Sequence, residues 1–484
     1  MKDWMAKNKI KIMRVLIVIL YICLLAPYLF SIYHAVPTSD DFCMTLNGEP
    51  HFTGCLAYTK NVYLTWSGEF IFFFLQYFIN PLAFAKYDSF LYGGTLCFFF
   101  MIFILSFRYF IKSWLECVYD ITNRLVSEGI SILMISILLF ANNYHEIFYW
   151  YIGATYELEY AIAFIAIGSM IRFYKVPQGK LAHYIILICT GVVACNAVNM
   201  CVIIGASYVF IVIHHIIYYK KKAGFRDALP LILFVIMGCV TVFAPGNFAR
   251  KSANIGSPIY VSALRAFSCN IRRLFALLEN NTVFFLFFLS FIIGIVINCI
   301  LKKKIEKMWS LLVLLGICLY GTLLPVAIGY GESRILNNRV CYLLDTINIS
   351  ILEIFILGLG MCVSRAIGYA ITTREKVAFF PILICIFYAI VIKDNGYGSC
   401  EYINQISNFS EVKEERELWI GIYDKIYNSE DVDVIVAVSD ENVVRSGVIK
   451  NPELDEEAAF WINSEIRRYF KKESISVILN ENQE

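Results

Sequence analysis

The residues best suited to chemistry begin at Pro37-Thr38-Ser39-Asp40-Asp41-Phe42, where two adjacent carboxylates follow a short polar stretch. Such a pair can hold a divalent cation such as Mg²⁺ or Mn²⁺, or one carboxylate can take a proton from a hydroxyl while the other supports it. The same residues also suit a helix N-cap, with Ser39 or Asp40 accepting a backbone N–H. A second constellation is Ala244-Pro245-Gly246-Asn247-Phe248-Ala249-Arg250-Lys251. Pro and Gly favour a tight turn there, and Arg250 and Lys251 suit a phosphate. The plain alternative is a turn that ends a membrane helix, its cations reaching for water. A third group gathers His145, Glu146 and Trp150 with further aromatic residues, followed by Glu157 and Glu159. One imidazole, acids and flat rings suit sugar faces and hydroxyls, and an interfacial aromatic belt has the same composition. Arg334, Asn338 and Arg339 form a fourth group after Glu332, and Asp345 and Glu353 stand within an apolar run, where an unpaired acid is costly.

The elements that must position these residues are membrane helices. Hydrophobic residues make up 59% of the 484 residues and charged residues 17%, against about 25% charged in an ordinary soluble domain, and mean hydropathy is +0.65. This excludes a disordered chain, a soluble nucleotide-binding or barrel enzyme, a nucleic-acid binder and a disulfide-stapled secreted domain. Apolar stretches near 12–33, 90–107, 130–141, 160–171, 183–219, 229–243, 283–300, 309–328, 340–363 and 377–392 predict spans. Polar residues at 196–199 split the fifth stretch into a hairpin of two short helices, giving about eleven crossings. Lys2, Lys7, Lys9, Lys11 and Arg14 precede the first span and place the N-terminus in the cytoplasm. That orientation puts 22 of the 31 basic residues before Lys393 inside. The first span, lacking a small-residue cleavage site, reads as a retained anchor.

Two outer loops stand out. Residues 34–88 are long for a hairpin, and aromatic-rich 56–78 predicts helices lying along the interface. Residues 244–281 hold Arg250, Lys251, Arg265, Arg272 and Arg273, five cations on the side where cations are scarce. The chain thus divides into a basic membrane part, 1–392, and an acidic tail, 393–484, with 20 acidic and 10 basic residues. With an odd number of crossings the tail lies outside. Its apolar spacing predicts helices at 406–427 and after Pro452, and strands at 432–438 and 474–479. The fold class is an all-α polytopic membrane protein with a small α/β extracytoplasmic C-terminal domain. Most of the 16 cysteines lie in apolar runs, and a disulfide among Cys43, Cys55, Cys269 and Cys400 stays open.

Asp40-Asp41, Trp66-Ser67-Gly68, His145-Glu146 with Trp150 and Gly153, Ala244-Pro245-Gly246-Asn247 with Arg250, and Trp461 with Asn463 follow one another along almost the whole chain. In that order they resemble the GT-C superfamily of polyprenyl-phosphate-dependent glycosyltransferases, and more closely an uncharacterised bacterial family of polytopic proteins assigned to it by similarity. Glu69 departs from the pattern, which leads one to expect Arg after Gly68. The resemblance implies a bacterial cell-membrane enzyme taking sugar from a polyprenyl-phosphate donor to an extracytoplasmic glycan or polymer. It implies Asp40 and Asp41 as catalytic or metal-holding acids, and Arg250, Lys251, Arg334 and Arg339 as donor-phosphate contacts. His145, Glu146, Trp150 and Asn247 would bind sugar, with Mg²⁺ or Mn²⁺ as the cofactor if one is used. The competing readings are a transporter or flippase, in which Asp345 and Glu353 would line a path, and a glycan polymerase or ligase.

Overall fold

The computed structural model describes residues 2–45, 51–141, 144–175, 181–219, 222, 224–253, 258–301, 309–330, 338–367, 400–438, 444–450, 452, 454 and 461–479. The helices of the membrane part are α1 (Lys2–Tyr33), α2 (Ser39–Cys43), α3 (Phe52–Thr65), α4 (Phe70–Phe78), α5 (Phe90–Cys117), α6 (Arg124–Ala141), α7 (His145–Phe148) and α8 (Tyr151–Lys175). They continue with α9 (Leu181–Ala194), α10 (Val198–Tyr219), α11 (Phe225–Val242), α12 (Pro245–Ala253), α13 (Ile259–Glu279), α14 (Asn281–Leu301), α15 (Trp309–Tyr330) and α16 (Asn338–Ile367). The tail contributes α17 (Glu401–Ser407), α18 (Phe409–Asn428), β1 (Asp433–Val438), α19 (Trp461–Phe470) and β2 (Ser474–Leu479).

Among the described residues nine helices are long and apolar enough to cross a membrane, those at α1, α5, α6, α8, α10, α11, α14, α15 and α16. α9, at 14 residues, is apolar but shorter. The expected hairpin over 183–219 breaks at 195–197, and the expected crossing at 377–392 lies outside the described residues. Two expectations change. Tyr151, Ile152 and Tyr160 are buried and extend the fourth span toward its N-terminus, so Glu157 and Glu159 are helical residues of α8 rather than loop residues. The segment 244–281 is two helices rather than a loop opened by a tight turn: Pro245 takes the first helical position, where its missing N–H is harmless. In α13 Tyr260, Leu264, Phe267, Ile271 and Phe275 recur at helical spacing and form an exposed apolar stripe.

Polar groups within the bundle are used to join helices. Glu128 of α6 accepts from Arg108 Nε at 2.7 Å, Lys112 at 2.9 Å and the Tyr21 hydroxyl at 3.1 Å, tying α1, α5 and α6. α14 and α16 run parallel, because Ser290 meets Glu353 and Asn298 meets the Met361 carbonyl at a constant offset of 63 residues. Their axes approach closely enough that a Cβ on Gly294 or Gly360 would lie 2.1 Å from a carbonyl oxygen of the other helix.

The tail rests on the beginning of the first long loop. The Tyr423 hydroxyl donates to Pro37 O at 2.6 Å, Arg416 to Ala35 O at 2.9 Å, and the Tyr402 hydroxyl to Cys23 O at 2.8 Å. Lys86 and the Tyr87 hydroxyl hold Asp424 at 3.1 and 2.6 Å. β1 and β2 pair in parallel, Asp433 opposite Ser474, with alternate residues of β1 turned inward as the strand period requires. Cys43, Cys55, Cys269 and Cys400 are not joined by disulfides.

Candidate functional site

Three distant segments meet at residues 66–69, the break between α3 and α4. Asn247 at the start of α12 accepts the Gly68 N–H at 3.3 Å and donates to Thr241 O at 2.8 Å. Asn196, in the turn between α9 and α10, donates to Gly68 O at 3.2 Å and accepts the Ile71 N–H at 2.7 Å. Two asparagine amides thus bracket one residue, Gly68, supplying the partners that a broken helix leaves open. Glycine is required on both sides of the contact. A Cβ on Gly68 would lie 1.9 Å from Thr241 O, and one on Gly246 would lie 2.5 Å from Trp66 N. Residues 66–68 and 244–247 are therefore one constellation in space.

What this junction presents is charged. Glu69 accepts the Val198 N–H at 3.2 Å, which caps α10, and burial pushes its carboxyl up against the opposing pull of that amide and of Arg250. Arg250 lies 5.7 Å from the Trp66 ring centroid and donates to Asn247 Oδ1 at 3.4 Å. From Glu69, α4 runs along α8. At its far end Gln76 donates to Thr155 Oγ1 at 2.6 Å and accepts the Tyr151 hydroxyl on its carbonyl at 2.9 Å. Tyr151 and Thr155 are one turn apart, and Glu159 is the next residue on that face. Glu159 is 3% exposed, and Tyr160 beside it is buried as well.

The ring of Tyr160 faces a different environment. With Phe110, Trp114, Phe164, Leu311 and Cys318 it lines an apolar slot between α5, α8, α10, α15 and α16 whose enclosed volume is about 70 Å³. On the polar side, Arg339 at the start of α16 lies 3.3 Å from Glu146 and 5.0 Å from the centroid of Trp150. Lys450 of the tail lies 5.0 Å from the same ring and is buried. Trp150 therefore stands between two cations.

Several expected site residues come together here and others do not. Asn247 and Arg250 join residues 66–69, while Glu146, Trp150 and Arg339 make a second cluster. Lys251 is exposed at the end of α12, His145 is half-buried at the start of α7, and Arg334 lies outside the described residues. Asp41 is fully buried: its Oδ2 accepts the Thr38 N–H at 2.8 Å, the Thr38 hydroxyl at 3.3 Å and the Tyr92 hydroxyl at 2.8 Å. Three residues into α2, it makes the reciprocal contact of a capping box, and burial pushes its carboxyl up to about 7. Asp40 is half-buried. Asp41 Oδ2 faces these donors, while its Oδ1 is buried with no hydrogen-bond partner among the described residues. No group of three metal-ligating side chains occurs among the described residues.

Asp345 and Glu353 hold helices together. Asp345 binds Arg273 of α13, at 2.8 Å through Nε, and the Tyr144 hydroxyl at 2.9 Å, and Glu353 binds Ser290. Sequence reasoning left out Lys450 and Asn196 as a bracket, and it placed Glu157 and Glu159 in the third group as loop residues rather than on α8. Asn196 and Gly68 are 128 residues apart, so no local signal joins them.

No protein-family model matches the chain, and neither a curated protein nor a solved structure matches it. Fold and site define a multi-pass α-helical membrane protein. At one end of its bundle it carries a polar junction of carboxylates, cations and indole rings.

Proposed function

We propose that this protein is an integral-membrane glycosyltransferase that moves a sugar from a polyprenyl-phosphate donor to an extracytoplasmic acceptor in a bacterial cell envelope. The observation that carries the reading is the double environment of Tyr160. It lines an apolar slot and directly follows buried Glu159 on α8, the helix entered from Trp150, whose ring lies 5.0 Å from Arg339. A site that changes from hydrocarbon to charge within one side chain suits an amphiphile with an anionic head. The enclosed slot, about 70 Å³, is narrow, so a long chain is received by parting the helices that line it.

In this reading the donor phosphate lies against Arg250 and Arg339, with Lys251 and Arg334 as further cations at the same face. Its sugar meets Trp150, Glu146, His145 and Asn247. Attack at the anomeric carbon transfers the electron pair of the breaking bond to a phosphate oxygen, and fixed guanidinium groups stabilise that charge without reorganising. The acceptor hydroxyl gives its proton to a carboxylate. Two sets are at hand: Asp40 and Asp41, and Glu69 with Glu159, the latter lying 8 residues beyond Tyr151 on α8, or about 12 Å. Transport is less well supported than transfer, because Asp345 and Glu353 are engaged between helices.

The test is turnover of a polyprenyl-phosphate sugar by purified protein. Arg250→Ala is expected to slow it by about 2 to 4 kcal/mol, roughly 30- to 1000-fold, if the guanidinium stabilises the leaving phosphate. Arg226→Ala, whose guanidinium stacks 4.6 Å from the Phe173 ring at the other end of α8, controls for loss of charge. Equal rates for both variants and the wild type would remove the phosphate site from this junction.

A further inference from the structure

We infer that the tail contributes Lys450 to a binding site for an oxyanion, a phosphate or a carboxylate, formed with Arg339 and the indole N–H of Trp150. The inference rests on the transferase reading only in naming the molecule that carries the oxyanion. Trp150 is 3% exposed, and its Nε1, a donor with no acceptor capacity, is buried without a hydrogen-bond partner among the described residues. Such a donor is costly to the fold unless something accepts from it. The Lys450 ammonium and the Arg339 guanidinium each lie 5.0 Å from the centroid of that same ring, so they cannot be more than twice that distance apart. Cations held so close repel, and an anion that both can reach relieves the repulsion. Glu146 lies 3.3 Å from Arg339 Nε, and a planar guanidinium has further N–H donors beyond that one. All three groups donate and none accepts, which selects an oxyanion over a neutral hydroxyl.

The fold of the tail places Lys450 at the ring. Ser446 donates from its N–H and its hydroxyl to Glu415 of α18, at 2.8 and 2.6 Å. Gly447 then turns the chain at a φ of +65°, a left-handed conformation that a residue without Cβ adopts freely. Val448, Ile449 and Lys450 follow, all buried. α18 is itself seated on loop one through Arg416 and Tyr423. The ammonium therefore comes from the tail, whereas the guanidinium comes from the start of α16 and the indole from the residue before α8. An oxyanion bound by all three bridges the tail to the membrane part, so binding and tail seating are linked. In the transferase that oxyanion is the lipid phosphate or the carboxylate of an acidic sugar. A lysine that only covered the indole would leave tail seating indifferent to anions.

The experiment titrates the full-length protein in detergent, at constant ionic strength, with two pairs of probes: a short-chain polyprenyl phosphate without sugar against the corresponding polyprenol, and glucuronate against glucose. Binding is read as the rise in melting temperature, and tail seating as hydrogen-exchange protection at 416–423 and 446–450. The anionic member of at least one pair is expected to bind, and at ten times its dissociation constant to raise protection about tenfold, with no response to its neutral partner. Lys450→Met keeps the stem and removes the charge, and Trp150→Phe keeps a ring and removes the N–H. Each should weaken binding of that anion by roughly tenfold, whereas Lys450→Arg should retain it. A response to the lipid phosphate, or to glucuronate, supports the site and names its source. If Lys450→Met fails to fold, Trp150→Phe and Lys450→Arg decide. Neither anion distinguished from its neutral partner, or wild-type affinity in Trp150→Phe and Lys450→Met, would overturn the inference. Anion binding that depends on Lys450 in a protein that transfers no sugar would uphold the site and remove the transferase reading instead.

Discussion

Single residues at the junction carry consequences out of proportion to their size. Gly68 touches the Thr241 carbonyl so closely that any Cβ would collide with backbone, at 1.9 Å. Gly68→Ala should therefore separate α4 from the end of α11 and cost on the order of 1 to 3 kcal/mol. Gly421 of α18 has open space around it, and Gly421→Ala should stabilise by up to about 1 kcal/mol through helix propensity alone. Melting temperatures of the two variants in detergent check the contrast, and equal shifts would contradict it. The paired acids at Asp40-Asp41 teach a different lesson. A capping carboxylate and a catalytic one need the same residue types after the same kind of break, so sequence leaves both open. In the structure Asp41 Oδ2 caps the Thr38 N–H at 2.8 Å, and Oδ1 is left without a hydrogen-bond partner among the described residues.

Between elements, the tail and loop one are held by groups that titrate. Burial pushes Asp41 and Glu401 each up to about 7. An acid whose value is raised by folding binds its proton more tightly folded than unfolded, so stability falls as pH rises through that window, from about 4 to about 7. Hydrogen-exchange protection factors, each referenced to the intrinsic rate at its own pH, should be higher at 35–45 and 416–423 at about pH 5 than at about pH 8. Asp41→Asn should flatten the dependence, and lower protection at the lower pH would contradict the assignment. A second joint, between α13 and α16, depends on Arg273 and fully buried Asp345. Arg273→Ala leaves that carboxylate without its cation and should cost about 3 to 5 kcal/mol, whereas replacing both residues by apolar ones should restore most of it. A melting temperature unchanged by Arg273→Ala would show that the pair contributes nothing. The helices themselves were largely legible, because hydropathy and the polar break at 66–69 are local signals. The joints were not. Asn247 and Gly68 are 179 residues apart, and Arg273 and Asp345 are 72 apart, distances over which periodicity says nothing about register.

At the scale of the whole molecule, nine described spans place a polar junction over an apolar slot, and the tail covers the start of the loop that feeds it. Composition made the membrane architecture legible, since 59% hydrophobic residues admit little else. It could not show that α4 would lie along α8, or that the tail would bring Lys450 to the Trp150 ring, because both depend on packing between segments with no common pattern. In the proposed reading, an anionic head lies at the polar junction, its chain enters the apolar slot, and the reacting bond lies beside the head. Transfer and transport differ in one observable, the fate of the bond between sugar and phosphate. The most direct measurement is incubation of the purified protein, in vesicles loaded with polyprenyl-phosphate sugar and supplied with cell-envelope glycan as acceptor, followed by quantification of both the intact donor and free polyprenyl phosphate. The account predicts free polyprenyl phosphate appearing in step with loss of sugar, slowed by Arg250→Ala and not by Arg226→Ala. Donor that stays intact, whether left in place or moved to the opposite leaflet, would contradict it.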